Sequence, residues 1–415
     1  MTAREAALRA LIVCRKDGAW SNGAMKELLQ GMDRREAALA SRLCYGVLQN
    51  RMLLDFWIRA FAKGKLQPVV QDILRLAVYQ LRFMDKIPAS AAVNEAVKQA
   101  KHSANLQASR LVNGVLRSIL RAESLPEPSD LATKYSHPQE LVTLLEAQFG
   151  EKTEALLKSN NEVPPITVQV NTLKTTAARL ALSLEAEGIG FAPHEHLENC
   201  LILGTTGNLE QLSAFRDGLF YVQDAAARMA VEAAELKPGM RVLDCCSAPG
   251  GKSFWAAMCM ENRGELISCD IHRHKLKLIE NGAQRLGIEI LSTCLADASV
   301  RNDEWIGQMD TVICDVPCSG LGVIRKKPDI RYKDLKQTEG LPELQGKILV
   351  NQAEYVKPNG TLIYSTCTIL RRENEAVVEA FLQSHPNFTA QWSKTYLPCD
   401  DQTDGFFICK LRRKP

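Results

Sequence analysis

Two of the chain's thirteen cysteines are set apart by their surroundings. Cys318 lies in DVPCSG and Cys367 in YSTCT, each just past an apolar run that reads as a buried strand. A thiol at a polar strand end is poorly placed for core packing, and nearby cations favour the thiolate, the nucleophilic form. The remaining cysteines form no CxxC pair. The tightest spacings, Cys245–Cys246 and Cys314–Cys318, are not those of zinc ligands, so no metal is expected. Most are expected to be reduced and buried, packing as small hydrophobes.

A second cluster is VLDCCSAPGGKS, residues 242–253, where a strand runs into a Pro-Gly-Gly turn and then a helix. Such glycines let backbone approach a ligand at a helix N-terminus. A phosphate-binding P-loop would need glycine at position 246, which is Cys246, so that reading fails. An S-adenosylmethionine loop remains, beside the plain alternative of a tight turn with no ligand. Asp270 ends the next strand, about 20 residues beyond the glycines, where a carboxylate can accept from both ribose hydroxyls of a nucleoside cofactor. Asp297 follows the third strand, within reach of an adenine amino group. Either aspartate alone would more often be a cap or turn residue. Asp315 closes the fourth strand just before Cys318. Arg325, Lys326, Lys327 and Arg331 follow on a Gly-rich segment that suits a phosphate backbone, or is simply an exposed basic loop.

These residues need a scaffold, and the chain after Gly218 supplies alternating elements. RVLDCCSA, GELISCDI, EILSTCLAD, DTVICDVP and GTLIYSTC read as strands, separated by helices that include one long stretch, KDLKQTEGLPELQGKILVNQAEYV. NFTAQW and GFFICKLRR close as a hairpin. Repeated βαβ units with apolar strands imply a parallel sheet covered on both faces, with ligands at the strand C-termini. Residues 1–125 read as helices throughout, with Ala, Leu, Val and Ile at three- and four-residue spacing and stretches such as PASAAVNEAV opening on Ser or Pro. AESLPEPSD breaks that pattern as a linker. Residues 126–217 then mix a helix ended by Gly150, a strand in ITVQVNTL, a helix and the short strand CLILG. The expected organisation is multidomain: an all-α domain over 1–125, a small α+β region over 126–217, and an α/β Rossmann-like domain over 218–415.

With 46% apolar and 24% charged residues, the composition is that of an ordinary globular protein. No apolar run reaches the ~20 residues of a membrane span, and the N-terminus lacks the pattern of a signal peptide, so a cytoplasmic location is expected. Residues 1–125 hold 20 basic and 10 acidic side chains, a net +10, which leaves a net −7 for the rest. That asymmetry points to an anionic partner such as nucleic acid, or to solvated helix faces.

Together, CSAPGGKS, the post-strand aspartates, DVPCSG with KPDIR, and YSTCT with ENE resemble the Nop2/Sun family of RNA cytosine-5 methyltransferases. YVQDAAARMAV and DGFFICKL extend the resemblance over roughly residues 135–412, and residues 1–125 resemble a NusB-type RNA-binding domain. The resemblance implies a class I methyltransferase fold, S-adenosylmethionine as cofactor and small-subunit ribosomal RNA as substrate. It also implies that Cys246, Ser247, Ala248, Pro249, Gly250, Gly251 and Lys252 line the cofactor loop, with Asp270, Asp297 and Asp315 completing the site. Cys367 would add to the cytosine ring, Asp315 would hold the base edge near N3, and Cys318 would assist release. No obligate protein partner is implied. Gln169 and Tyr332 stand where relatives usually carry Arg and Trp, replacements expected to bear on RNA contacts. A DNA cytosine-5 methyltransferase using Cys318, methylation of transfer or large-subunit ribosomal RNA, and a non-catalytic RNA-binding assembly factor are the competing readings.

Overall fold

The computed structural model describes residues 1–17, 21–204 and 208–415. The chain forms two compact units, one of Met1–Val163 with Ile324–Lys333 and one of Pro164–Val323 with Asp334–Pro415. Among the described residues no helix is long and apolar enough to cross a membrane.

The first unit is helical. Helices Ala3–Asp17, Ser21–Leu28, Arg34–Gln49, Arg51–Phe61, Pro68–Phe83, Ala89–Ser103 and Leu106–Arg121 turn one face each inward. Leu43, Val47, Ile73, Leu74, Ala77, Val112 and Leu116 share one core. Their spacing, mostly of three and four, puts them on single helix faces. Asp33 and Asn105 cap their helices by accepting from backbone N–H groups. Helix Ala89–Ser103 starts directly after Pro88, as expected, but with no side-chain cap. Buried Arg75 is held by Asp55 and Asp72 at 2.6 and 2.7 Å.

Residues past 125 pack into the same compact unit. Trp57 Nε1 donates to Pro126 O, and Leu53 N donates to Ser136 Oγ, at 3.0 Å each. Helices Leu131–Tyr135, Gln139–Phe149 and Thr153–Ser159 thereby join the compact unit, which runs to Val163.

The second unit holds two sheets. Strands β1 (Ile166–Val170), β2 (Phe191–Pro193), β3 (Cys200–Leu203) and β4 (Phe220–Val222) form an antiparallel sheet in the order β2-β3-β1-β4. β4 pairs with β1 through Val168 and Val222, so the small sheet reaches past the boundary expected at residue 217. β2 and β4 have three residues each, too few to leave a periodic signal.

The larger sheet contains β5 (Arg241–Asp244), β6 (Glu265–Asp270), β7 (Leu291–Leu295), β8 (Met309–Asp315), β9 (Val356–Thr366), β10 (Phe388–Tyr396) and β11 (Phe406–Arg413). Their order is β10-β11-β9-β8-β5-β6-β7. β5 to β9 are parallel, and the closing hairpin adds antiparallel β11 and β10 at the β9 edge. Successive residues face opposite layers: Leu243, Val312 and Cys314 join one core, Val242 and Ile313 another. Both faces are therefore covered, as continuous apolar strands require. The chain leaves β5 toward β6 on one side and returns to β8 on the other. This is a topological switch point, where such sheets bind ligands. The long helix expected over 333–356 is instead a short 3-10 turn, Leu335–Thr338, and a helix from Leu341 to Ala353. Pro342 at its first turn has no N–H to continue a preceding helix.

Candidate active site

The parallel strands deliver their chemistry to one edge. Asp244, Asp270 and Asp315 are the last residues of β5, β6 and β8, and Asp297 and Cys367 lie just past β7 and β9. β8 and β9 are hydrogen-bonded neighbours, with Asp315 opposite Ser365. The residues that follow each strand are thus brought together. Cys318 Sγ and Cys367 Sγ lie 3.3 Å apart, both partly exposed. Behind Cys367 the backbone is packed without room for side chains. Gly322 N donates to Cys367 O, and Gly405 N donates to Gly322 O. A Cβ on Gly322 would sit 1.9 Å from Gly405 O, so both GLG and DGFF need glycine at this approach.

Lys252 and Asp315 form the second feature. Lys252 Nζ donates to Asp315 Oδ2 at 2.6 Å, and Ser365 Oγ donates to Asp315 Oδ1 at 3.0 Å. Burial opposes the ammonium charge, but attraction and hydrogen bonding to Asp315, with Asp244 and Cys367 behind it, outweigh burial and raise the Lys252 pKa. Lys252 therefore stays charged. The Cys318 thiol is pushed well above the ordinary range, first by its hydrogen bond with Cys367, then by burial and by the charges of Cys367, Glu373 and Asp315. Cys246 is also held as a thiol, by its hydrogen bond to Cys245 and by burial.

Asp244, part of VLDCC and the last residue of β5, lies at the same edge. It is fully buried and accepts from Ser253 Oγ at 2.6 Å, with Ser268 Oγ donating in turn to Ser253 Oγ. Burial raises its pKa to about 6, against the lowering effect of the Ser253 bond and Lys252. Its position at the end of the strand leading into the glycines was the available signal.

The residues present fit a nucleoside cofactor. Gly250 has φ +109°, and a Cβ there would overlap the Phe254 ring; a Cβ on Gly251 would come within 3.3 Å of Gln223 Nε2. The chain therefore passes this turn with bare backbone and enters helix Gly251–Cys259, whose first-turn N–H groups lack intrahelical acceptors as at any helix start. Ser247 is fixed by two bonds to Cys269 O. Asp270, only 7% exposed, accepts from His272 N through Oδ1, which Lys275 Nζ approaches at 3.8 Å. Asp297 is exposed and accepts from Ser299 N and Oγ, a turn arrangement in which it also serves its own backbone.

The basic segment belongs to the first unit, and there the expectation needs correction. Arg331 is 1% exposed. Its Nη1 donates to Gln49 O (2.8 Å) and Asn161 Oδ1 (2.7 Å), with Tyr135 O and Ser136 O at 3.3 Å; Nη2 donates to Asn160 O at 3.1 Å. A guanidinium so engaged has no access to a phosphate. Arg325 is also buried, Lys326 is half-buried, and Lys327 is exposed. Tyr332 donates to Leu48 O and lies under the Arg51 guanidinium, while buried Gln169 bonds to Gln223 O and Arg228. Gln169 is thus engaged in internal packing, while Tyr332 is half-buried. Most cations of residues 1–125 are exposed, among them Arg110, Arg117 and Arg121 on helix Leu106–Arg121.

Known proteins share this combination. Residues 231–412 match the profile of the family described as 16S rRNA methyltransferase RsmB/F, residues 1–121 that of the NusB family, and residues 137–210 that of an RsmF/B-like ferredoxin-like domain. A probable ribosomal RNA small subunit methyltransferase B from Bacillus subtilis is 37% identical, over 99% of this chain and 98% of its own. Ribosomal RNA small subunit methyltransferase B from Vibrio cholerae is 34% identical over 100% and 98%. The crystal structure of PH0851 superposes with a TM-score of 0.82 at 26% identity, covering 98% of both chains. That of NSun6 from Pyrococcus horikoshii with SFG has a TM-score of 0.61 at 22% identity, covering 67% of this chain and 98% of its own. The chain belongs to the RsmB/F family of S-adenosylmethionine-dependent rRNA methyltransferases, with a NusB domain at its N-terminus.

Proposed function

We propose that the chain methylates carbon 5 of a cytosine in 16S ribosomal RNA, with Cys367 as the attacking nucleophile. The observation that carries this reading is the Cys318–Cys367 sulfur pair, 3.3 Å apart beside the Lys252–Asp315 ion pair at the sheet's ligand edge. Carbon 5 of cytosine is a poor nucleophile until a thiolate adds to carbon 6 and makes it enamine-like. Cys367 supplies that thiolate, and Cys318, its sulfur 3.3 Å away, assists release. Asp315, held by Lys252 and Ser365, orients the base edge and aids protonation at N3. S-adenosylmethionine, when bound, supplies an electrophilic methyl group. Cys246 to Lys252, Asp270 and Asp297 would hold it. Release then needs the proton to leave carbon 5 for a base on the Cys318 side. The freed electron pair restores the 5,6 double bond, and Cys367 departs as thiolate. A stacked base shields both faces of its ring, so looped or single-stranded RNA is the favoured substrate. The exposed cations of the NusB-like domain bind its backbone.

One gel tests this. With 16S rRNA and labelled S-adenosylmethionine, Cys318→Ala should trap a protein–RNA species that survives denaturing electrophoresis, and Cys367→Ala should form none. Adduct lost only in Cys318→Ala would indicate the DNA-type mechanism. A non-catalytic assembly factor gives neither adduct nor label transfer from the wild type. Transfer to tRNA or 23S rRNA in place of 16S rRNA would overturn the substrate.

A further inference from the structure

Residues 373 and 374 lie past Cys367 in the ENE motif, and their side chains reach back to both cysteine loops. Glu373 is fully buried. Its Oε2 accepts from Ser319 N at 2.8 Å and from Gln345 Nε2 at 3.0 Å, and Gln345 Nε2 also donates to Pro317 O at 2.9 Å. Glu373 thus holds the residues on both sides of Cys318, one directly and one through Gln345. Asn374, also fully buried, accepts from Thr366 Oγ1 at 2.6 Å and donates from Nδ2 to Thr368 O at 3.0 Å. It holds the residues on both sides of Cys367. Tyr364 Oη fixes the pair by donating to Glu373 O at 2.6 Å, and Ser319 Oγ meets Thr368 Oγ1 at 2.8 Å between the loops. A buried carboxylate is costly unless hydrogen-bonded; both bonds of Glu373 fall on Oε2, from Ser319 N and Gln345, while Oε1 is buried with no partner among the described residues.

We infer that Glu373 and Asn374 are a pair of positioning residues that divide the work: Glu373 places Cys318 for release, and Asn374 places Cys367 for attack. Neither touches the reacting atoms. The inference rests on the two-cysteine reading above. A displacement near 1 Å of a reacting group is enough to cost two orders of magnitude in rate, so loss of either grip is felt in the step its cysteine serves.

The test is adduct kinetics on the full chain with 16S rRNA and S-adenosylmethionine, with thermal unfolding in parallel. Glu373→Ala should form adduct at the wild-type rate but accumulate it, as Cys318→Ala does. Glu373→Gln keeps an acceptor for Ser319 N and Gln345, and should restore release. Asn374→Ala should slow adduct formation roughly tenfold or more and accumulate none. In a Cys318→Ala background, adding Asn374→Ala should slow trapping while adding Glu373→Ala should not. If Glu373→Ala fails to fold, Gln345→Ala carries the same test: accumulation supports the assignment and normal release overturns it. Formation and release slowed alike in both variants, alongside a lower melting temperature, would reduce the pair to general scaffolding and overturn the division. If Cys318→Ala itself traps no adduct, the two-cysteine reading fails and the division falls with it. Trapping by Cys318→Ala with normal release in Glu373→Ala overturns the division alone.

Discussion

Replacing Arg331 by Met removes a charge from the basic segment while keeping most of the side-chain volume. Two physical roles predict opposite results. In the structure Arg331 is 1% exposed and gives three short hydrogen bonds, to Asn161 Oδ1, Gln49 O and Asn160 O at 2.7, 2.8 and 3.1 Å. Leaving these three acceptors without a donor, Asn160 buried and Gln49 and Asn161 half-buried, costs at most about 1–3 kcal/mol each, or roughly 3–9 kcal/mol. Against this stands the cost of burying the guanidinium, which lowers its pKa from 12.5 to about 10. That shift corresponds to roughly 3 kcal/mol recovered when the charge is removed. The net loss is about 0–6 kcal/mol, centred near 3 kcal/mol. For a unit of this size, a loss of ~3 kcal/mol lowers the midpoint by roughly 6–12 °C. Thermal and urea unfolding followed by circular dichroism, with RNA affinity measured across a salt series, reads both outcomes. An unchanged midpoint with weaker RNA binding and a salt slope reduced by about 1 would show that the guanidinium serves a phosphate, and would refute the structural argument. Exposed Lys327 is the matched control: Lys327→Met should leave the midpoint within about 1 °C.

Asp270→Ala should weaken S-adenosylmethionine binding by tenfold or more, from the loss of two charge-assisted hydrogen bonds at ~1.5–3 kcal/mol each; wild-type affinity by calorimetry would remove Asp270 from the site. Because Asp270 also accepts from His272 N, Asp270→Asn is the gentler partner variant, retaining that acceptor. Asp244 has a folded pKa of about 6 against 3.8 unfolded, so the folded state binds its proton more readily. Its penalty is full above pH ~7 and is relieved as pH falls toward 4, a span worth roughly 3 kcal/mol. Asp244→Asn should therefore be more stable than wild type at pH 7.5, with the gap closing toward pH 4; parallel stability curves would contradict this. Replacing Arg110, Arg117 and Arg121 by Gln should flatten the salt dependence of RNA binding without altering cofactor affinity, and an unchanged slope would mark that face as merely solvated.

What the sequence disclosed and what it concealed follow from the range of the interactions involved. The parallel strands were legible because each is a short apolar run ended by a polar residue, and the strand ends carry the site. Cys318 and Cys367 could be paired before any coordinates, because β8 and β9 are successive strands whose connection returns to the neighbouring position. Local signals fail where a partner is remote. Arg331 sits in KKPDIR, which has the composition of a solvated loop, yet Gln49 O is 282 residues away in the chain. The net +10 of residues 1–125 says nothing about which cation is spent on a carbonyl. β4 was hidden for the same reason: three residues acquire a strand conformation only by pairing with β1. Glu373 is the sharper case. A charged residue in an RRENE run reads as surface, and nothing within a few positions shows that Ser319 N and Gln345 will enclose it. The carboxylate has to be buried for those bonds to be strong, and it is buried only once both cysteine loops have closed around it. Formation of the Cys318 loop and burial of Glu373 are therefore one event. A substitution at Glu373 should accordingly be read through Cys318 chemistry before it is read as loss of a surface charge.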